Sequence, residues 1–388
     1  MTTSATIPDV GGKSGTNPLK GLLDFGQSPW MDYIRRDLLT SGELKKMIEN
    51  DGLRGMTSNP AIFEKSVTGS TLYSDIINAP DAKFLDAKGL YEKIAIRDVQ
   101  DACDIFKPVY QQSKRRDGYV SLEVSPYLAN DTKGTLEEAR RLWKAVGREN
   151  LMIKVPATPE GIPAIRQLLE EGLNINITLL FAQSVYEKVA EAFIAALEAR
   201  AAKGLDVSHI ASVASFFVSR IDTLVDTKVD ELAKTAGGAA KALLESVRGK
   251  IAIANAKLTY KKYQELFGGP RWKALAGKGA QTQRLLWAST STKNPKYRDV
   301  IYVEELIGAD TVDTIPPATF DAFREHGKLR KSLTEDVAGA AKTMDNLGQA
   351  GISMKEVTDK LLVDGVKLFA DAFKQLLDAT GKSAGVRA

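Results

Sequence analysis

The chain has 388 residues, of which 44% are hydrophobic and 26% are charged, as is usual for a globular protein. Its 53 lysines and arginines exceed its 49 aspartates and glutamates only slightly, which gives a net charge of +4. Basic pairs such as Arg35-Arg36 lack interleaved aromatic residues, so we expect no nucleic-acid surface. Small anionic substrates remain compatible with this charge.

Cysteine and histidine are scarce in this chain. Cys103 is the one cysteine, so no disulfide can form within the chain, and we expect a reducing compartment and a cytoplasmic location. Together with His209 and His326 it offers no spacing typical of a zinc site, so we expect no metal site. The apolar run from Ile210 to Val218 is too short to span a bilayer, and we expect no membrane association.

The N-terminal segment differs in composition from the rest of the chain. Residues 1–20 are rich in Gly, Ser, Thr and Pro, and residues 1–26 are predicted to form a flexible tail, whereas 27–388 are predicted to form one domain. Within that domain, short apolar segments alternate with helical ones. The predicted strands are Ser28–Ile34, Gly52–Pro60, Gly118–Pro126, Leu151–Val155, Asn174–Phe181, His209–Asp222 (which runs into a helix), Gln283–Thr290 and Ala309–Pro317.

Helical patterns follow the predicted strands. A long helical region that ends near Arg116 is expected to break at 78–80, and Thr135-x-x-Glu138 predicts a capping box at the start of the helix after the third strand. Residues 226–283 predict a helical insertion and residues 318–380 predict C-terminal helices. Eight strands, each followed by a helix, predict an α/β fold of the (β/α)8 TIM-barrel type. An open doubly wound sheet is the alternative, weakened by the lack of a glycine-rich turn after the first strand.

The fourth predicted strand carries a lysine among apolar residues. Lys154 lies in LMIKVPATPEG, between Ile153 and Val155. Burial lowers the pKa of an ammonium, and a neutral lysine can attack a carbonyl and form a Schiff base. The alternative is a lysine at a strand end that reaches solvent or a carboxylate.

Polar residues occur near the C-terminal ends of seven predicted strands, which is where barrel enzymes have their active sites. They are Asp32, Asn59, Glu123, Lys154, Asn176 with Thr178, Ser215 and Ser289. A lysine nucleophile, two carboxylates for proton transfer, and amides and hydroxyls for substrate hydroxyls form one coherent set. Each residue taken alone could instead be an ordinary residue of the barrel rim.

Arg220 follows the sixth strand and is the best-placed residue to bind a substrate phosphate with its guanidinium fork. The alternative is a helix arginine that pairs with Asp222 or Asp226.

Six segments of the chain resemble the transaldolase family, and specifically its longer bacterial form. The segments are SPWMDYIRRDLL, GLRGMTSNPAIFEK, VSLEVSP, LMIKVPATPEG, NINITLLF and SFFVSRID. They occur in the family's order, and the resemblance extends over nearly the whole chain from about Gln27. It implies a class I aldolase barrel with a Schiff-base lysine on its fourth strand.

The resemblance also implies roles for individual residues. Lys154 matches the Schiff-base lysine, and Asp32 resembles the aspartate that exchanges a proton with the C4 hydroxyl of the ketose. Glu123 resembles the glutamate that acts through a water molecule, with Thr178 beside it. The residues that match groups binding the dihydroxyacetone hydroxyls or the phosphate are Asn59, Asn176, Ser215 and Arg220.

One departure from the family concerns the phosphate site. Shorter transaldolases have a second phosphate arginine in an ASFR-like motif after the seventh strand, whereas this chain has ASTSTKNP. Ser289 fits that motif, but Lys293 is the available substitute for the arginine, and a lysine supplies a point charge rather than a fork.

The resemblance therefore implies transfer of a dihydroxyacetone unit between sugar phosphates without a cofactor, in the pentose phosphate pathway. The donors would be sedoheptulose 7-phosphate or fructose 6-phosphate, and the acceptors glyceraldehyde 3-phosphate or erythrose 4-phosphate. The alternatives are a lyase like fructose 6-phosphate aldolase, which would release dihydroxyacetone, and a non-catalytic sugar-phosphate binder. The oligomeric state and the role of 226–283 have no indication in the sequence.

Overall fold

The computed structural model describes residues 17–67 and 71–384 as a closed barrel of eight parallel strands in sequential order, with β8 paired to β1. The strands are β1 Gln27–Asp32, β2 Gly55–Thr57, β3 Tyr119–Glu123, β4 Leu151–Pro156, β5 Ile175–Leu180, β6 Ser212–Phe217, β7 Arg284–Ala288 and β8 Thr311–Ile315. All eight lie within the segments predicted from the apolar pattern, apart from the first residue of β1 and the last of β4. The TIM-barrel prediction is confirmed, and the open-sheet alternative is wrong.

Helices surround the barrel and cover its strands. They are α1 Pro18–Gly21, α2 Arg36–Thr40, α3 Glu43–Asn50, α4 Pro60–Val67, α5 Ser74–Ile77, α6 Ala87–Gln112, α7 Thr132–Val146, α8 Gly161–Glu171, α9 Gln183–Ala202, α10 Ser219–Ala233, α11 Gly238–Val247, α12 Ile251–Gly268, α13 Pro270–Ala276, α14 Ile301–Glu304, α15 Pro317–His326, α16 Val337–Gln349 and α17 Met354–Ala384. Short 3-10 turns lie at Leu22–Phe25, Pro80–Phe84, Pro126–Leu128 and Ser332–Thr334. Within the described ranges, none of these helices combines the length and apolarity needed to cross a membrane.

The predicted flexible tail is wrong for the part of it that the structure describes. Residues 17–26 form α1 and a 3-10 turn, and Leu19 and Leu22 are fully buried. The Asn17 side chain caps α1 by accepting a hydrogen bond from the Leu19 N–H and donates to Asp51. Burial of the two leucines outweighs the conformational entropy that is lost when this short segment becomes ordered. Residues 1–16 of the predicted tail lie outside the described residues.

The start of α7 also differs from its prediction. The helix begins at Thr132, and Asp131 is its cap, because the carboxylate accepts a hydrogen bond of 3.0 Å from the Gly134 N–H. Thr135 instead donates to the Leu128 carbonyl, and Glu138 accepts from the Ser125 N–H at 2.6 Å. The predicted capping pair therefore connects the helix to the loop that follows β3. The predicted break at 78–80 is confirmed between α5 and α6.

The segment predicted as a helical insertion, 226–283, contains the end of α10 and the helices α11, α12 and α13. Helix α12 packs between α9 and α16, so this segment contributes to the outer layer of helices. The predicted C-terminal helices are α15, α16 and α17. Helix α17 contacts α4, α6, α10, β5 and the turn after β3. Most of these partners come directly after the C-terminal end of a strand, so α17 lies across that end of the barrel.

A buried ion pair closes the opposite end of the barrel interior. Arg284 of β7 and Asp117 approach to 2.8 Å, and the Ser28 hydroxyl of β1 donates to the same carboxylate. Above them Trp30 fills the barrel, and Gly55 lies so close that a Cβ there would be 2.5 Å from the indole. Tight packing at this end leaves the open space of the barrel at its C-terminal end.

Candidate active site

A cavity of about 170 Å³ opens at the C-terminal end of the barrel. Its volume suits a small polar molecule rather than a dinucleotide. Its lining comes from most strands and from α17. The lining residues are Asp32, Thr57, Asn59, Lys154, Thr178, Ser215, Phe217, Arg220, Ala288, Ser289, Ser291, Lys293, Thr314, Pro316 and Phe369.

Lys154 lies at the centre of this site and is only 5% exposed. Its Nζ donates a 3.1 Å hydrogen bond to the Ser58 carbonyl and lies 3.4 Å from Glu123 Oε2. Strand register brings these groups together, because Glu123 of β3 pairs with Lys154 of β4, which pairs with Asn176 of β5. The lysine thus contacts a carboxylate, as its alternative interpretation allowed, but Lys154 also lines the cavity, whereas Glu123 lies beside it. The expected neutral charge state of Lys154 stays a prediction.

Glu123 approaches Lys154 from beside the cavity and is itself buried. Burial raises the pKa of Glu123 to about 7, against the opposing effect of the Lys154 charge. A carboxyl with this pKa can both donate and accept a proton near neutral pH. Its Oε2 and the buried Thr178 Oγ1 have no hydrogen-bond partner within the described part of the chain. Apart from the 3.4 Å contact of Oε2 with Lys154 Nζ, both oxygens are therefore available to bind a reacting group or a water molecule.

Asp32 ends β1 on another side of the cavity from Glu123. Its Oδ1 accepts a 2.8 Å hydrogen bond from the Thr57 hydroxyl, which is 2.7 Å from the hydroxyl of Thr314. Burial raises the pKa of Asp32, and the charge of Lys154 is the largest of the effects that oppose this rise. The two threonines hold one carboxylate oxygen in place, so the carboxylate has a defined orientation.

The predicted amide and hydroxyl residues occupy different levels of the site. Ser215 lines the cavity, and its hydroxyl donates to Asn176 Oδ1 at 2.6 Å. Asn176 does not line the cavity itself and lies below it, where its amide also donates to Ser121. Asn59 lines the cavity and its Oδ1 accepts from the Ile62 N–H at the start of α4. We infer that Asn176 orients the Ser215 hydroxyl.

Arg220 and Lys293 provide positive charge at one side of the cavity. Arg220 lies over the Phe217 ring, with its Cζ 5.3 Å from the centroid, and it forms no ion pair within the described ranges. Partial loss of hydration at the cavity rim, and then the charge of Arg220, lower the pKa of Lys293. An anion bound at this position would relieve the repulsion between the two positively charged side chains.

The alternative interpretation of Arg220 is wrong, because its two candidate partners are engaged elsewhere. Asp222 accepts hydrogen bonds from Tyr302 Oη and the Ala252 N–H. Asp226 accepts from Tyr297 Oη and the Gly249 N–H. Beside Arg220, the Ser289 backbone has φ of +57°, which is uncommon for a residue other than glycine. This conformation places Ser289 within 3.1 Å of the Ser219 hydroxyl at the cavity wall.

Sequence reasoning missed several cavity residues. Thr57 and Thr314 position Asp32, and Phe217 and Phe369 supply aromatic walls. Thr314 had a visible signal, because it is a polar residue in the eighth predicted strand, where no candidate was named. Phe369 had none, because its helical pattern does not indicate where α17 packs.

The described residues do not suggest a metal site. Within residues 17–67 and 71–384, no three or more His, Cys, Asp or Glu side chains are grouped so as to hold a metal ion.

Comparison with known proteins places this barrel in a family. The family described as transaldolase/fructose-6-phosphate aldolase matches residues 29–380. A protein named transaldolase from Trichodesmium erythraeum is 49% identical, with 94% of this chain and 97% of the relative covered. "Transaldolase 2" from Nostoc punctiforme is also 49% identical, over 94% and 97%, and a transaldolase from Thiobacillus denitrificans is 44% identical, over 94% and 100%. The chain therefore belongs to the transaldolase/fructose-6-phosphate aldolase family.

Proposed function

We propose that the protein is a transaldolase that transfers a dihydroxyacetone unit from a ketose phosphate to an aldose phosphate through a Schiff base on Lys154. The donors would be sedoheptulose 7-phosphate or fructose 6-phosphate, and the acceptors glyceraldehyde 3-phosphate or erythrose 4-phosphate. The observation that carries this proposal is a lysine, 5% exposed, that lines a cavity of about 170 Å³ together with Asp32 and contacts the Glu123 carboxylate at 3.4 Å. The names of the relatives support it.

Lys154 is the nucleophile of the proposed mechanism. Its Nζ attacks the C2 carbonyl of the ketose, a C–N bond forms, and the carbonyl oxygen becomes a hydroxyl. Loss of that hydroxyl as water needs an acid, and Glu123 is the candidate because its pKa is about 7 and its Oε2 lies 3.4 Å from the Nζ. Thr178, whose hydroxyl has no hydrogen-bond partner within the described ranges, would help to bind the water that relays the proton.

Asp32 is the proposed base for cleavage of the carbon–carbon bond. It removes the proton of the C4 hydroxyl, the C3–C4 bond breaks, and its electron pair moves into the iminium to leave an enamine on Lys154. The aldose phosphate departs, and an acceptor aldehyde then adds by the reverse steps. The hydrogen bond from Thr57 fixes the orientation of Asp32 for this transfer.

The remaining cavity residues are proposed to bind substrate. Asn59, Ser289 and Ser215, with Asn176 behind it, would bind the hydroxyls of the three-carbon unit. Arg220 would bind the phosphate, and we propose that Lys293 takes the place of the missing second arginine. Its position next to Arg220 supports this assignment, since the charge of Arg220 lowers the pKa of Lys293.

A coupled assay with fructose 6-phosphate and erythrose 4-phosphate tests the proposal. Transfer should require the acceptor, and Lys154→Met should abolish it, whereas Lys133→Met, at a lysine that is 87% exposed, should leave it unchanged. Continuous release of dihydroxyacetone without acceptor would instead identify a lyase. Activity retained in Lys154→Met, or lost equally in Lys133→Met, would contradict the assignment of the nucleophile.

A cytoplasmic location within carbohydrate metabolism is part of the same proposal. It is supported by the single thiol of Cys103, which is buried, and by substrates that are intermediates of the pentose phosphate pathway.

A further inference from the structure

One face of α17 is directed at the active site. Gly365, Phe369 and Phe373 are spaced four residues apart and therefore lie on the same side of the helix. Phe373 packs edge-on against Tyr91, with centroids 5.5 Å apart, and against Tyr127, at 5.4 Å. Phe369, one turn earlier, lines the cavity that contains Lys154. The aromatic contacts of Phe373 thus fix the position of Phe369.

A second contact fixes α17 on the other side of Phe369. A Cβ added to Gly365 would lie 2.9 Å from Cδ2 of Leu179, so the helix approaches β5 closely. Leu179 itself has φ of +59° and belongs to an irregular stretch of β5 between Ile177 and Leu180. This strained conformation directly follows Thr178 and turns the leucine towards α17. The helix is therefore packed directly on a strand that supplies a cavity residue.

Phe369 lies above the reacting nitrogen. Its ring centroid is 5.6 Å from Lys154 Nζ, which is within the range of a cation–π contact. The Nζ carries a positive charge in an iminium, and the ring face favours a cation over a neutral group. The ring also occupies space through which water would otherwise reach the nitrogen and its bonded carbon.

We propose that Phe369 is a specificity-determining residue that protects the three-carbon iminium on Lys154 from hydrolysis, so that the unit is transferred to an aldose rather than released. This inference rests on the proposed function and adds to it a residue outside the barrel strands. It makes α17 a part of the active site.

The competing reaction shows what Phe369 would suppress. Release begins when the enamine on Lys154 takes a proton at carbon and becomes an iminium. One water molecule then adds to the iminium carbon and loses a proton, which gives a neutral carbinolamine. The C–N bond breaks, the nitrogen is protonated, and dihydroxyacetone and free Lys154 are formed. Transfer also ends with hydrolysis of an iminium, but that step uses the water molecule proposed at Glu123 and Thr178. Phe369 stabilises the three-carbon iminium relative to its carbinolamine and obstructs water that would approach from the α17 side of Lys154.

Three variants test this role. Phe369→Ala removes both the ring and its bulk, Phe369→Leu retains an apolar side chain without the π face, and Leu368→Ala is the matched control. Leu368 is the preceding residue of α17 and is 53% exposed. The measured quantity is the rate of dihydroxyacetone release from fructose 6-phosphate without acceptor, divided by the rate of transfer to erythrose 4-phosphate.

The release-to-transfer ratio should rise roughly twofold to thirtyfold in Phe369→Ala, which is the range of a cation–π contact. The rise should be smaller in Phe369→Leu and absent in Leu368→Ala. Thermal unfolding should show that the variants are folded. If Phe369→Ala does not fold, Phe369→Gln, which keeps the length of the side chain but brings a polar amide to the cavity, should show the same rise.

An unchanged ratio in folded Phe369→Ala, or an equal rise in Leu368→Ala, would overturn the proposal. Borohydride reduction of each variant with fructose 6-phosphate separates this failure from a failure of the proposed function. An adduct on Lys154 in every variant, with no change in the ratio, would contradict the role of Phe369 alone. Absence of the adduct in the unsubstituted protein would contradict the Schiff base itself, and the role of Phe369 with it.

Discussion

Substitution of Arg220 by methionine tests the proposed phosphate site. Arg220 lines the cavity, forms no ion pair within the described ranges, and packs against Phe217. Methionine retains much of that apolar contact and removes the charge. A hydrogen bond to a charged group contributes roughly 1.5–3 kcal/mol, so kcat/KM for fructose 6-phosphate should fall about 10-fold to 150-fold.

Lys293→Met should have a smaller effect in the same assay. The Lys293 side chain is exposed at the cavity rim and supplies a point charge. An exposed ion pair contributes roughly 0–1 kcal/mol, which corresponds to a loss of up to about fivefold in kcat/KM. Lys293→Arg would restore a guanidinium fork and should retain activity.

Unphosphorylated fructose, supplied at high concentration as donor, is the control substrate for both variants. Because fructose has no phosphate, its kcat/KM should change by less than about twofold in Arg220→Met and Lys293→Met. Equal losses for fructose and fructose 6-phosphate would refute the assignment, since they would show that the side chains support the site rather than bind phosphate.

Three further predictions concern stability. Asp117→Ala leaves the buried Arg284 guanidinium unpaired and should lower the free energy of unfolding by about 3–5 kcal/mol in denaturant titrations; no loss would contradict the role of this ion pair. Gly55→Ala places a Cβ 2.5 Å from the Trp30 ring and should cost about 1–3 kcal/mol in the same titrations, and an unchanged midpoint would contradict the packing. The raised pKa of Glu123, about 7 against 4.5, means that the folded state keeps a proton that the unfolded state loses, so stability should fall as pH rises from about 4.5 to about 7. Glu123→Gln should remove this contribution, which is measured as the difference in the free energy of unfolding between pH 5 and pH 8. If Glu123→Gln showed the same difference as the unsubstituted protein, the raised pKa of Glu123 would be contradicted.

The barrel was predictable because parallel strands buried on both faces leave a strong apolar signal. The apolar patterns of segments such as Asn174–Phe181 and Gln283–Thr290 favour a buried strand over other structures. The observed β5 and β7 lie inside these segments. Two charged residues of the cavity could be predicted from the same pattern. Lys154 and Asp32 stand out as charged residues in apolar strands, and the C-terminal ends of parallel strands meet at one end of a barrel.

Features that depend on packing between distant segments were not predictable in this way. Residues 17–26 were assigned to the tail with the preceding segment rich in Gly, Ser, Thr and Pro, but Leu19 and Leu22 bury their side chains in the core. Asn176 is bonded to Ser215 and does not line the cavity, so its expected contact with substrate hydroxyls stays a prediction. Thr178, two residues further along β5, does line the cavity, and the apolar pattern does not show which of the two polar residues reaches it.

The place of α17 is the clearest example of this limit. Its helical pattern indicates a buried face but not which surface covers that face. Its position across the mouth depends on Phe373 contacts with Tyr91 and Tyr127, which come from segments far away in the chain. The approach of Phe369 to Lys154 follows from those contacts and had no local signal.

Borohydride reduction with fructose 6-phosphate and no acceptor tests the central claim most directly, with the modified residue located by intact mass and peptide mapping. We predict one reduced three-carbon adduct per chain, on Lys154, whose Nζ contacts the Ser58 carbonyl and Glu123. An adduct on a different lysine, or no adduct under conditions in which transfer proceeds, would contradict the Schiff-base mechanism.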